Sequence, residues 1–430
     1  MSSDYLGVDI EKPLYEYCRN ATNREGDTFV GIKSEIIDDK HRLSIHFPIG
    51  YEISQNEEKV RNEIIQLLTV LQEYNDKQSV ISKMSKEQLL KTVRFPVQAY
   101  MTVILYYASN GVYQIKEDNF VSGTSGPVNW NRTIKQESVI PTKKGFLYSR
   151  VRVRKHSDTD KDLITEINKY CIYESYMKLG WIYKLPEFQK PYQSKTKEVY
   201  RTYLTGIHSR TNKDKDKQLF QAMLDILDFS NTTDNPEEFY FGTNNFKYIW
   251  ERIIQNVYGN VIKEYYFPRT KWKLNIGKER DNKALEPDTI MKYKKDVYVL
   301  DAKYYKYGVT KNPIHLPASS SINKQISYGE YIVTHEKFAE EINEGMRVYN
   351  AFLMPYNSLD ETYKENSDKY YSIGEAVADW KISDEDHERV QGILVDVKHL
   401  MNSQILPNQK EIEKLSNKII ESLEINKGRN

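Results

Sequence analysis

The chain has 430 residues, with 62 Lys and Arg against 61 Asp and Glu, so its length accommodates two or three domains and its formal net charge is only +1. That balance excludes a global field drawing the whole chain to a polyanion; any nucleic-acid contact has to use local patches. The two cysteines, Cys18 and Cys171, form no CxxC pair and exclude a disulfide framework, while the longest apolar run, Ala99 to Ala108, is too short and too Tyr-rich to span a bilayer.

With no signal sequence read at the N-terminus, these features predict a soluble, cytoplasmic protein without membrane contact. Residues 28–53 alternate as two short strands, Thr28–Ile32 and Leu43–Phe47, around Asp38-Asp39-Lys40, and Pro48-Ile49-Gly50 marks a turn. A helix follows, with Ile64, Ile65, Leu67, Leu68 and Leu71 on its apolar face. Another runs from about Pro96 to Asn110, with proline at the start, where its missing N–H is tolerated. Gly123 to Pro127 reads as a loop.

From Trp130 to Lys155 the chain is strongly basic, with Glu137 as its one acid. Within it Arg150, Arg152 and Arg154 alternate with Val151 and Val153. On a strand the arginines line one face. Such a face suits DNA phosphates, which guanidinium groups bind in bidentate fashion. A solvated face paired with acids from elsewhere is the alternative. A helix spans about Asp162 to Lys178. Residues 185–217 are polar and basic and end in Asn212-Lys213-Asp214-Lys215-Asp216-Lys217, read as exposed chain. The expected division is 1–185 as a DNA- or partner-binding region, 186–235 as a linker or helical connection, and 236–430 as the catalytic domain.

The next helix carries a buried stripe of Phe246, Ile249, Trp250, Ile253, Ile254 and Val257, with Glu251 on its flank. Glu286-Pro287-Asp288 then leads into a strand, Thr289 to Tyr293. A turn near Lys294-Lys295 and the apolar Val297-Tyr298-Val299-Leu300 follow, running into Asp301-Ala302-Lys303. Strand side chains two apart share a face, so Asp301 and Lys303 project together. A two-residue turn sets Asp288 directly across from Asp301. Lys-Lys lacks the usual turn chemistry of Asn-Gly or Gly. Two carboxylates and a lysine at a strand end suit metal-dependent phosphodiester cleavage. The carboxylates offer oxygen ligands to Mg²⁺, and the lysine orients water or stabilises charge. A solvated hairpin with surface carboxylates is the other reading. Further on, a helix from about Ile322 to Thr334, strands at Tyr349–Met354 and Val390–Val397, and an amphipathic C-terminal helix through Ile412, Leu415, Ile419 and Leu423 are expected.

Asp288 with Asp301-Ala302-Lys303 resembles the PD-(D/E)xK nuclease superfamily. The resemblance sharpens over several stretches: Phe29-Val30-Gly31-Ile32 with Ile45-His46-Phe47-Pro48-Ile49-Gly50, Trp130-Asn131-Arg132-Thr133-Ile134, Phe241-Gly242-Thr243-Asn244-Asn245-Phe246 running to Trp250-Glu251, and Pro287-Asp288 with Leu300-Asp301-Ala302-Lys303-Tyr304-Tyr305. Together, in this order, they resemble the LlaJI family of restriction endonucleases. The resemblance implies an α/β (α+β mixed) fold: an N-terminal mixed region, then a nuclease core with a mixed central sheet flanked by helices. It implies that Glu251 assists near the metal. It also brings Lys324, Gln325 and Tyr328 toward DNA, with the Gln and Tyr near the DNA or the metal, although Gln325-x-x-Tyr328 is one residue shorter than the usual Gln-x-x-x-Tyr. The implied activity is Mg²⁺-dependent cleavage of double-stranded DNA in defence against foreign DNA.

Enzymes of this kind resemble McrC-type subunits, which work with an AAA+ GTPase. This chain has no Gly-x-x-x-x-Gly-Lys-Ser/Thr loop, so a nucleotide-driven step would need a second protein. A double-strand break needs two active sites or sequential nicking, which points to assembly on DNA, a homo-oligomer among the options. A catalytically silent DNA-binding or assembly subunit, and a repair or RNA nuclease, are the rival readings.

Overall fold

The computed structural model describes residues 12–22, 24, 27–37, 40–76, 95–114, 116–123, 126–142, 145–158, 163–183, 188–232, 239–363, 369–381, 384–403 and 407–428. The chain is mixed α/β and groups into two compact units. One is Phe95–Pro236; the other joins Asp9–Arg94 to Glu237–Asn430. This grouping differs from the division expected from the sequence. Strand β2 (Val30–Ile37) pairs antiparallel with β8 (Phe239–Thr243), which brings the N-terminal strands into the unit that carries the C-terminal half. The pairing is close: a Cβ on Gly31, whose φ is +143°, would stand 2.2 Å from the Phe241 carbonyl oxygen, so glycine is required there.

In the unit Phe95–Pro236, helices Val97–Asn110, Leu163–Tyr183, Lys197–Arg210 and Asp214–Thr232 pack together around Tyr100, Val103, Ile104, Ile167, Leu204 and Met223. The last two of these helices fall where a linker or helical connection was expected. Their buried Tyr200, Leu204, Phe220 and Leu227 make them core. Two two-stranded antiparallel sheets complete the unit, β4 (Lys116–Gly123) with β7 (Val151–Asp158) and β5 (Val139–Thr142) with β6 (Gly145–Tyr148), together with the short helix Trp130–Gln136.

The larger unit holds two principal sheets. The first has the order β1-β3-β2-β8, with β1 (Cys18–Asn20) and β3 (Lys40–Phe47) parallel. The second has the order β11-β12-β13-β15-β14, built from Thr289–Tyr293, Asp296–Ala302, Val348–Tyr356, Val390–Asp396 and Tyr370–Ala376 respectively. Its central strands β12, β13 and β15 are parallel, and its outer strands antiparallel. Parallel strands need a crossover, which the helix Ser319–Thr334 supplies between β12 and β13. That helix covers one face of the sheet. Helices Phe246–Tyr258 and Gln409–Lys427 cover the other. Coverage on both faces explains the unbroken apolar run Val297-Tyr298-Val299-Leu300, all fully buried. Among the described residues no helix is long and apolar enough to cross a membrane.

The C-terminal helix is tied down by a buried charge cluster. Glu411 accepts from Tyr370 Oη, pairs with His399 Nε2 at 2.9 Å and with Lys414 Nζ at 3.0 Å. Burial alone would raise this carboxyl; the hydrogen bonds from His399, Tyr370 and Lys414 outweigh it and hold it down at about 2. A depressed carboxyl contributes stability that is present above its unfolded value and lost as pH falls through the folded one. The expected result is a fall in the urea midpoint between pH 4.5 and about 2 that is smaller in Glu411→Gln than in the parent chain. Equal slopes in the two proteins would show the cluster to be inert.

Candidate active site

The hairpin β11–β12 forms in the expected register. Thr289 lies opposite Leu300 and Tyr293 opposite Asp296, leaving Lys294-Lys295 as the turn. Lys294 takes a φ of 54°, a left-handed conformation that lysine adopts only at a cost of about 1–2 kcal/mol. The pairing of the two buried strands outweighs the poor turn chemistry. One step beyond Thr289, Asp288 stands at the level of Asp301. The Ala302 N–H donates to Asp288 Oδ2 at 3.0 Å and fixes that carboxylate against the end of β12.

Asp301 and Lys303 share a face, and Lys303 Nζ lies 2.7 Å from Asp301 Oδ2. Their side chains keep 15% and 19% exposure, enough to meet a ligand and too little for free hydration. The Lys303 N–H donates to the Leu353 carbonyl at 2.9 Å, so the chain is still held to β13 where the lysine emerges. Ile290, Val297 and Val299 precede these polar groups on the same face and pack against Tyr328 and Ile332 of the helix Ser319–Thr334. The carboxylates therefore sit where an apolar interlayer opens.

Electrostatics binds the group together. Asp288 is raised well above the ordinary carboxylate range, first by burial, then by its hydrogen bond to Asp301 and by the charges of Asp301 and Glu251; the Ala302 N–H opposes this. Two adjacent carboxylates in a half-buried site hold a proton or a cation between them. Glu251, on the helix Phe246–Tyr258, acts on Asp288 through its charge; Trp250, one residue earlier, donates Nε1–H to the Leu353 carbonyl at 3.2 Å. Among the described residues no three His, Cys, Asp or Glu side chains converge on one point. The site is thus a carboxylate pair with Glu251 at longer range. That donor set suits Mg²⁺, which keeps several waters and binds through one or two carboxylates.

The remaining expected residues fall in different places. Tyr328 is buried, and the charges of Asp301 and Asp288 act on its phenol, with burial the larger cause of its raised pKa. Lys324 is exposed and lies over the Tyr328 ring, 5.5 Å from its centroid. Gln325, expected near DNA, is instead 1% exposed and donates Nε2–H to the Val299 carbonyl at 2.6 Å. Its amide is spent on docking the helix to the sheet, because Gly329 one turn on lets the helix approach Asn350 closely. Arg150, Arg152 and Arg154 belong to the other unit. Arg150 sits exposed in a bend just before β7. Arg152 forms an ion pair with Glu137 at 2.7 Å, so its guanidinium is engaged by an acid rather than free for phosphate. The Arg154 backbone pairs with Phe120 in the β4–β7 ladder; its side chain lies outside the described residues.

Two residues have positioning roles that the sequence did not reveal. Lys263 Nζ donates to the Asp288 carbonyl at 3.1 Å, from a short 3₁₀ turn 25 residues earlier. Tyr304 accepts from the Ile49 N–H at 2.7 Å and lies against Phe246, tying the first sheet to the strand end that carries Lys303. Asn350 was legible in principle, as the one amide in the otherwise apolar, fully buried β13.

Fold and site together define a mixed α/β protein with a carboxylate–lysine centre at the end of a central sheet strand. The family model of the LlaJI restriction endonuclease matches residues 29–372, which is most of the chain, and this chain belongs to that family. It is also similar to the Type II restriction enzyme BsuMI component YdjA of Bacillus subtilis (strain 168), at 25% identity over 273 residues. That similarity covers 59% of this chain and 57% of the relative, so the chain spans little more than half of the relative's length.

Proposed function

We propose that this chain is the nuclease, or nuclease subunit, of a restriction system, with a PD-(D/E)xK-type core that hydrolyses phosphodiester bonds of double-stranded DNA using Mg²⁺. The observation that carries this is the placement of Asp288 across from Asp301 with Lys303 Nζ 2.7 Å from the Asp301 carboxylate, at a strand end flanked by Glu251. Membership of a restriction endonuclease family supports it independently.

Asp288 and Asp301 would hold the ion, which when bound supplies Lewis-acid stabilisation of phosphate charge and a more acidic water. On binding the ion, Asp288 would release to solvent the proton that burial and Asp301 favour, so that both carboxylates could serve as ligands. Lys303 is tethered by Asp301 and cannot swing away. Its ammonium orients the attacking water or meets a developing phosphate oxygen, where it stabilises charge without reorganisation. Glu251 adds negative charge that would favour a cation held by the pair. The word "component" in the name of the relative supports action within a larger assembly, and a nucleotide-driven step would come from a second, AAA+-type protein. Defence against foreign DNA, in the cytoplasm, is the corresponding biological role.

Calorimetric titration with Mn²⁺ as the probe tests the metal site. One site is expected in the parent chain, lost in Asp288→Asn, with affinity that rises as pH rises because binding releases the shared proton. No detectable site in the folded parent at neutral pH would overturn the metal assignment.

A further inference from the structure

The segment leading into the active site is an arm that packs on no other element among the described residues. Strands β9 (Lys271–Lys273) and β10 (Glu279–Asp281) pair antiparallel, with Trp272 opposite Arg280. The ladder runs on in both directions: Leu274 N–H donates to the Lys278 carbonyl at 2.9 Å near the tip, and Leu285 N–H to the Pro268 carbonyl at 2.9 Å at the base. Gly277, with φ 78°, makes the tip turn. The hairpin is well formed, yet every residue from Arg269 to Lys283 is exposed.

Its composition is one-sided. Between Arg269 and Leu285 stand Arg269, Lys271, Lys273, Lys278, Arg280 and Lys283 against Glu279 and Asp281. Lys271 is taken up by Glu279 at 2.8 Å and Lys283 by Glu286 at 3.1 Å. Arg269, Lys273, Lys278 and Arg280 make no ion pair among the described residues. Alternation puts Trp272 and Leu274 on one face with their cross-strand neighbours Arg280 and Lys278. Trp272 is 60% exposed and Ile276 at the tip 74%. Large apolar side chains beside unpaired cations, held outward on a two-stranded ribbon, mark an interaction surface for a polyanion with apolar surface of its own. The location matters as much. Asp288 follows Leu285 by three residues, a span of at most about 10 Å of chain.

We infer that the hairpin Arg269–Leu285 is a DNA arm, which lays the Trp272–Arg280 face along the duplex beside the scissile phosphate. Lys278 and Arg280 neutralise phosphates from that face, Lys273 adds positive charge from the other face of the ribbon, and Trp272 and Leu274 pack on sugar and base edges in the groove. This rests on the nuclease reading above: it names how the substrate is gripped next to the carboxylates. The net charge of the whole chain is uninformative because the arm concentrates its positive charge locally.

The test is fluorescence anisotropy of a labelled duplex at several salt concentrations. It compares full-length Asp301→Ala, which leaves the DNA intact, with the same chain carrying Lys273→Ala, Lys278→Ala and Arg280→Ala. These side chains are exposed, so the unfolding midpoint should not move. Affinity at low salt should fall by about tenfold or more, and the slope of log affinity on log salt should become shallower by about 2–3. A separate Trp272→Ala variant should lose several-fold in affinity with the salt slope kept. Unchanged affinity and slope in the triple variant would overturn the proposal. Loss of co-purification with a partner subunit while DNA affinity stays intact would also overturn it, and would assign the arm to protein contact. Cleavage by the unmutated chain is measured in parallel. DNA left intact there counts against the nuclease reading alone, since the binding comparison still judges the arm.

Discussion

Asp301→Ala should lower the DNA cleavage rate by about 10²–10³-fold or more, the scale of removing one group that stabilises transition-state charge, while duplex binding and the unfolding midpoint stay near those of the parent. Asp301 does two things at once. It faces Asp288 across the hairpin end, and it holds Lys303 Nζ at 2.7 Å. Its removal frees the lysine and leaves Asp288 as the one carboxylate at the strand end. The fold should tolerate this, since Asp301 lies past the buried run Val297–Leu300 and its side chain keeps some exposure. Single-turnover cleavage with saturating enzyme separates chemistry from binding. A variant that still cuts at a parental rate would remove Asp301 from the mechanism. A variant that fails to bind DNA would turn the residue into a binding group.

Trp250→Ala should destabilise the larger unit by about 3–5 kcal/mol, the range for truncating a fully buried large side chain. Trp250 is fully buried between its helix and the sheet, and its Nε1–H satisfies the Leu353 carbonyl at 3.2 Å. Truncation leaves a cavity, a Leu353 carbonyl that keeps only the Lys303 N–H, and a helix no longer pinned beside Glu251. The guanidinium midpoint reports the loss. Because Leu353 is also the carbonyl that receives the Lys303 N–H, cleavage at a permissive temperature should fall too. A midpoint within experimental error of the parent would show that this helix is not part of the core.

The hairpin of Thr289–Tyr293 and Asp296–Ala302 was legible because its signals are local. A period of two places Asp301 and Lys303 together, and an apolar run ending in a charge marks a buried strand that opens on a polar site. Helix Phe246–Tyr258 was legible for the same reason, through its stripe of Phe246, Ile249, Trp250, Ile253, Ile254 and Val257. Grouping in space was not legible, because nothing in Val30–Ile37 states that it will pair with Phe239–Thr243 some two hundred residues later. The roles of Lys263 and of Tyr304, itself part of the stretch that carries the resemblance, were not legible either: each acts on the site through a single long-range hydrogen bond to a backbone group. Gln325 shows how a resemblance misleads. A glutamine at nearly the right spacing looked like a DNA contact, yet a close approach at Gly329 turns it inward onto Val299. Arg152 shows the same for charge. An arginine on a strand face reads as a phosphate ligand until its partner, Glu137, is found beside it.

The most direct test of the central claim is incubation of the purified full chain with unmethylated duplex DNA and Mg²⁺, alone and together with an AAA+-type partner and GTP, with chelator as the control. The account predicts discrete DNA fragments in at least one of these conditions, abolished by chelation and by Asp301→Ala. Intact DNA from folded, Mn²⁺-binding protein under all of them would contradict it, and would make the chain an assembly subunit that keeps the fold without the reaction.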